Sequence, residues 1–293
     1  MIFLQTFIFL LFASFAYLEL IAQKTPNLND LPSNLIVPKM VLNKPTAGLR
    51  VKHHWPEENG LNIYHSLYLP PNWNPNTKLP ILIEFAGNGG YKNNLGDVSL
   101  GTVEGSSLGY GITSGKGAIW ACLPFIDSKA KNNATNWWGD ADATVEYTLR
   151  SVRNICKQFN GDPDCVILAG FSRGSIACSY IGLRNDEIAK LWKGFICHSH
   201  IDGVTQWPYK DSDAESAKMR WQRLQGRPAF ISHEGSVENA RTFLTGNKIQ
   251  GTFTFLDLPF PNHSDLWVLK DLNESKKVRE WFQKVVSMPK TSS

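Results

Sequence analysis

The sequence lacks the features that mark nucleic-acid-binding and cofactor-dependent proteins. Its 30 basic and 26 acidic residues are scattered and leave a formal net charge of +4. With no basic block to track a phosphate backbone, nucleic acid is not an expected partner. No His, Cys and carboxylate group has metal-ligand spacing, and no Gly-rich phosphate cradle follows a strand, so neither metal nor cofactor is expected. Internal repeats and Gly/Ser linkers are also missing, which argues against a solenoid or two hinged halves. Cysteine is sparse: five residues permit at most two disulfides. Cys156 and Cys165 flank the polar turn 160–164 and are the expected pair, whereas Cys122, Cys178 and Cys197 stand in apolar segments and read as buried thiols. No Lys or Arg precedes the apolar run of residues 2–21. That run, followed by Ala22-Gln23 and a Pro- and Asn-rich stretch, has the outline of a signal peptide, with an uncleaved membrane anchor as the alternative. The expected organisation is therefore an export signal or anchor at 1–22, an irregular leader at 23–45 and one domain at 46–293 in a secreted or periplasmic protein.

Within the domain, short apolar runs alternate with longer amphipathic ones, the pattern of strands joined by helices around a mostly parallel sheet. Residues 61–69 alternate with period two and stop at Pro70-Pro71, which predicts a half-exposed antiparallel strand near a sheet edge. Residues 79–85, 118–123, 165–169, 193–198, 228–232 and 252–258 are nearly continuous apolar runs, as strands buried on both faces are. Helical stripes occupy 142–158, 175–183 and 275–286. Residues 87–117 are dense in Gly, Asn and Ser without periodicity, and a long irregular stretch inside an α/β domain is more often functional than idle.

Gly170-Phe171-Ser172-Arg173-Gly174 fits the pattern of a sharp strand-to-helix turn that lifts a nucleophilic serine above the sheet. The glycines are needed where the two backbones approach closely. Gly105-Ser106-Ser107-Leu108-Gly109 matches the same pattern, but no buried strand precedes it, so Ser172 is the expected nucleophile. A serine hydroxyl needs a base, and His263, in the loop after the last expected strand, is the best placed. His198, His200 and His233 fall at or beyond the ends of earlier strands, where a core or pocket-lining role is expected.

The Gly87–Gly90 loop, the amphipathic helix before Asn160-Gly161-Asp162-Pro163, the elbow at Ser172 and the late His263 together resemble the α/β-hydrolase superfamily. Within it, the nearest likeness is to secreted esterases related to polyhydroxybutyrate depolymerases and to feruloyl or acetylxylan esterases. The resemblance covers roughly residues 60–285 and implies a mostly parallel sheet flanked by helices. It also implies an acid between Ser172 and His263 in chain order. Gly235 to Glu238 reproduces a Gly-x-x-acid spacing common in that loop, which makes Glu238 the first choice, Asp202 the second and Glu234 the third. Two backbone N–H groups must hold the oxyanion, one from Arg173 and the other from Asn88 or Gly89.

The activity so implied is carboxylic ester cleavage through an acyl-enzyme, on a small-molecule or polysaccharide-linked ester that could carry sugar-linked acetyl or feruloyl groups. Tyr91, Tyr110, Trp137 and Trp138 are the expected substrate contacts, although the two tryptophans suit the core equally well. A prolyl-oligopeptidase-like peptidase and a catalytically silent carbohydrate binder on the same fold are the alternatives.

Overall fold

The computed structural model describes residues 25–289, so the expected signal or anchor lies outside the described residues. A nine-stranded sheet is built from β1 (Met40–Val41), β2 (Arg50–His53), β3 (His65–Tyr68), β4 (Leu79–Phe85), β5 (Ile119–Leu123), β6 (Gly161–Phe171), β7 (Gly194–His198), β8 (Pro228–Glu234) and β9 (Thr252–Leu258). Their spatial order is β1-β2-β3-β5-β4-β6-β7-β8-β9. Only β3 runs against its neighbours; every pair from β5 to β9 is parallel. The parallel strands are those whose sequence reads as continuous apolar runs, because helices cover both of their faces.

These helices are α1 (Leu108–Thr113), α2 (Ala141–Phe159), α3 (Arg173–Tyr180), α4 (Asp186–Ala189), α5 (Ala214–Trp221), α6 (Glu238–Gly246) and α7 (Asn273–Ser287). Successive strand residues point to opposite sides. Ile81, Ile83 and Phe85 of β4 therefore join Val145, Val152 and Ile155 of α2 on one face. Leu82 of β4 and Ile167 of β6 join Ile112 of α1 and Phe282 of α7 on the other. Asp140 starts α2 by accepting the Asp142 and Ala143 N–H groups at 3.1 and 3.0 Å, and Asn160, with a φ of 54°, ends it. Pro163 is accommodated at a shift of register between Gly161 and Val166. Among the described residues, no helix is long and apolar enough to cross a membrane.

Four expectations need correction. Residues 61–69 contribute only the four residues of β3, all buried, because β1 and β2 add two strands outside it. The leader is not irregular throughout: Leu28–Asp30 form a 3-10 turn with Leu28 buried, and β1 pairs with β2. Residues 87–117 contain a small ladder, Tyr91–Lys92 with Val98–Ser99, followed by α1. All five thiols are free. Cys165 follows the β6 irregularity with its sulfur 3.8 Å from Lys193 Nζ and 3.8 Å from the Val286 carbonyl oxygen, facing those groups rather than Cys156.

The tightest backbone approach lies where β6 turns into α3. A methyl group on Gly170 would strike the Gly174 carbonyl, and one on Gly174 would strike the carbonyl of Phe85 on β4. Because those obstacles are backbone, neither can swing aside. Gly174→Ala is expected to lower unfolding free energy by about 2–3 kcal/mol; a urea midpoint equal to that of the wild type would contradict the crowding argument.

Candidate active site

Ser172 directly follows β6 and precedes α3 with φ 53° and ψ −115°, a strained conformation for a residue bearing a Cβ. The strain turns its hydroxyl away from the sheet, and the Ser172 N–H donates to the His198 carbonyl at the end of β7, 2.9 Å away. Ser172 Oγ lies 2.9 Å from His263 Nε2. On the far side of the ring, His263 Nδ1 lies 2.5 Å from Glu234 Oε1. Serine, imidazole and carboxylate thus form a continuous hydrogen-bonded series carried by β6, β8 and the loop after β9.

The imidazole is fixed at its backbone as well. Buried Asp97 accepts the His263 N–H at 2.9 Å and the Asn262 side-chain amide at 2.8 Å. The same carboxylate receives the Asn29 and Asn93 amides at 2.9 and 2.7 Å. Asn262 also accepts the Leu28 N–H at 2.7 Å. The leader and the 91–99 ladder are therefore parts of the histidine's mount. Below them, His198 reaches the Ser264 carbonyl at 3.0 Å and Ser232 Oγ at 3.1 Å. Burial lowers the His198 pKa to about 4, so its ring is neutral. It therefore donates from Nε2 to that carbonyl and accepts the serine hydroxyl on Nδ1.

Burial alone would raise the Glu234 pKa, but the hydrogen bond from His263 and the nearby histidines outweigh it and hold the carboxyl well below the usual carboxylate range. An ionised partner on Nδ1 fixes the tautomer that leaves Nε2 free to take a proton from Ser172, and it stabilises the imidazolium that results. Arg173 begins α3, so its N–H has no carbonyl within the helix, and the residue lines the cleft beside Ser172. Its guanidinium turns away and donates to the carbonyls of Trp137, Gly87 and Gly101 at 2.7, 2.9 and 3.2 Å. That side chain ties the loops around the cleft together.

The cleft holds about 380 Å³ and is lined by Asn88, Tyr91, Trp137, Ile176, His200 and Trp207, among others. The Tyr91 ring lies 4.8 Å from that of His263, and Trp137 and Trp207 lie 5.7 Å apart. Burial, followed by the neighbouring His263, lowers the His200 pKa to about 4 and keeps that ring neutral. Among the described residues, no group of three or more His, Cys, Asp or Glu side chains could hold a metal ion.

No family model matches the sequence, and no curated protein does. The likeness is to solved structures. An acetyl ester-xyloside bifunctional hydrolase from Caldicellulosiruptor lactoaceticus is 16% identical with a TM-score of 0.52, covering 84% of this chain and 100% of that one. The fold is that of the α/β-hydrolases. A post-proline cleaving enzyme from Rickettsia typhi (11% identity, TM-score 0.51) matches 81% of this chain. A thermostable esterase (17% identity, TM-score 0.49) matches 80% of it. This chain spans 38% and 62% of those two chains, respectively.

Several expected residues lie elsewhere. Gly235, with a φ of 77°, ends the strand, and Glu238 opens α6 with its exposed carboxylate 3.2 Å from Arg241 Nε, so Glu234 meets the histidine instead. Asp202 is buried against Arg220, Ser179 and Tyr209 at 2.8, 3.1 and 3.2 Å. The Gly89 N–H already donates to the Thr135 carbonyl at 2.8 Å, which leaves Asn88 as the loop's candidate donor. Tyr110 packs on Tyr68 and Trp120, and Trp138 is buried against Phe125 and Tyr180, so neither lines the cleft. Ser107 is buried and donates to Asp265 Oδ2 at 2.8 Å. The sequence reading missed Asp97, Ser199, Ile176 and Trp207. Only Ser199, at a strand's end beside the elbow strand, carried a positional signal.

Two buried carboxyls lie beneath the site. Burial, then the charge of Asp265, raises the Glu84 pKa to about 7, and burial raises that of Asp265 to about 6. A folded pKa above the unfolded value means that the folded state binds protons the unfolded chain releases. Stability contributed by this pair is therefore full near pH 4 and lost as the pH rises towards about 7, opposite in sign to Glu234. Urea unfolding from about pH 4.5 to 8 should show the wild type losing on the order of a few kcal/mol relative to the Glu84→Gln/Asp265→Asn variant. Parallel stability curves would rule this out.

Proposed function

We propose that this chain is an exported serine hydrolase that cleaves carboxylic esters, with Ser172 as nucleophile, His263 as general base and Glu234 as the acid that orients it. The observation that carries the reading is the unbroken series from Ser172 Oγ through His263 to Glu234, at 2.9 and 2.5 Å, opening on a cleft. Export rests on the apolar run of residues 2–21.

In this reading Ser172 Oγ attacks the ester carbonyl while His263 Nε2 takes its proton. The oxyanion is held by the Arg173 N–H and by that of Asn88. His263 returns the proton to the leaving alcohol, and a water activated by the same ring cleaves the acyl-enzyme. Glu234 stays ionised throughout. The aromatic walls at Tyr91, Trp137 and Trp207 support a substrate with a flat or apolar face, either small or attached to a polysaccharide.

Hydrolysis of short-chain p-nitrophenyl esters, with matched p-nitroanilides as the peptidase arm, tests the reading. Ser172→Ala should abolish turnover. Glu234→Gln should lower kcat by about 10³–10⁴-fold, while Glu238→Gln should stay within about two-fold of wild type. Retention of activity in Glu234→Gln, or its loss in Glu238→Gln, would refute the assignment of the acid. Cleavage of anilides but not esters would move the substrate class to peptides.

A further inference from the structure

Nine non-glycine residues have positive φ among the described residues, and Ser172 and Ser199 are the two that are buried. They occupy matching places. Each directly follows a strand, β6 for Ser172 and β7 for Ser199, and each donates its N–H to a carbonyl of the next strand over. Ser172 donates to the His198 carbonyl at 2.9 Å and Ser199 to the Ser232 carbonyl at 2.8 Å. Each hydroxyl also reaches the same imidazole from opposite sides. Ser172 Oγ lies 2.9 Å from His263 Nε2, and Ser199 Oγ lies 3.0 Å from His263 Nδ1 and 2.9 Å from Glu234 Oε1.

A side chain at a φ of 83° strains the backbone, and glycine would relieve the strain. A buried serine held there against that cost points to work done by its hydroxyl. Glu234 Oε1 takes hydrogen bonds from both Ser199 and His263, while Oε2 lies 3.8 Å from His233 Nδ1. With its proton committed to Glu234, the Ser199 oxygen presents a lone pair towards the Nδ1–H. The three atoms form a closed triangle that fixes how the carboxylate faces the ring.

We propose that Ser199 is a positioning residue: it locks Glu234 Oε1 in line with His263 Nδ1 and supports the imidazolium formed when Ser172 reacts. The proposal rests on the serine-hydrolase reading above. Besides Glu234, the titratable groups around His263 are Asp97, Tyr91, His198, His200, His233 and Asp265. A pH profile would mix all of these, so the test acts through Glu234 instead.

The readout is the rate at which a fluorophosphonate probe labels Ser172, together with kcat and KM on an ester and the thermal midpoint. Ser199→Gly should keep a midpoint equal to or above that of the wild type, yet label and turn over about 10- to 100-fold more slowly with KM little changed. Ser199→Ala should show the same loss, and Ser199→Thr, which keeps the hydroxyl, should recover most of it. In the Glu234→Gln background Ser199→Ala should cost almost nothing further, because both substitutions remove one interaction. Wild-type labelling with an equally fast Ser199→Gly, or losses that add fully in the double variant, would overturn the proposal alone. A wild type that labels at no serine would overturn the hydrolase reading and this proposal together.

Discussion

The geometry of the site depends on one ring, the imidazole of His263, being held on every side. Its Nε2 meets Ser172, its Nδ1 meets Glu234 and Ser199, and its backbone N–H is bound by Asp97. The carbonyl of the next residue, Ser264, is bound by buried His198. A proton-transferring ring needs a fixed tautomer and a fixed direction. Here, elements far apart in the sequence supply both: the leader, the 91–99 ladder, β6, β7, β8 and the loop after β9.

That arrangement gives the two least regular parts of the sequence a purpose. The leader, by way of Asn27 to Asn29, meets the 91–99 ladder at Asp97 and the loop after β9 at Asn262, and residues 34 and 35 donate to the Leu269 carbonyl at 2.9 and 3.0 Å. Segments that look like a tether and an insertion together brace the loop that carries His263. The mount is built of hydrogen bonds to a buried carboxylate, which are stronger and more directional than apolar packing.

Much of the fold was legible because strands buried on both faces leave long apolar runs. The runs at 79–85 and 252–258 match β4 and β9 end to end, and the stripe at 142–158 lies within α2. Ser172 was legible because a strand, a crowded turn with two glycines and a helix must follow one another in sequence. Glu234 ranked below Glu238 because spacing along a chain does not report where a strand stops. Gly235 breaks β8 one residue after Glu234, which leaves Glu234 at the strand's end and sends Glu238 out onto α6. Asp97 and Ser199 act through contacts 166 and 64 residues distant, and a linear pattern carries no record of those. The expected cystine failed for a related reason: proximity along a turn does not set the direction of a side chain. Trp138 was drawn into the core and Tyr110 packs half-buried against it, as large aromatics often do.

The central claim is that chemistry starts at Ser172 through His263. Rapid acid quenching during turnover of a p-nitrophenyl ester, followed by peptide mapping, tests it most directly. The account predicts an acyl group on Ser172, in the peptide that spans the end of β6 and the start of α3. An acyl group on Ser107 or on any other residue, or turnover with no covalent adduct at all, would contradict it.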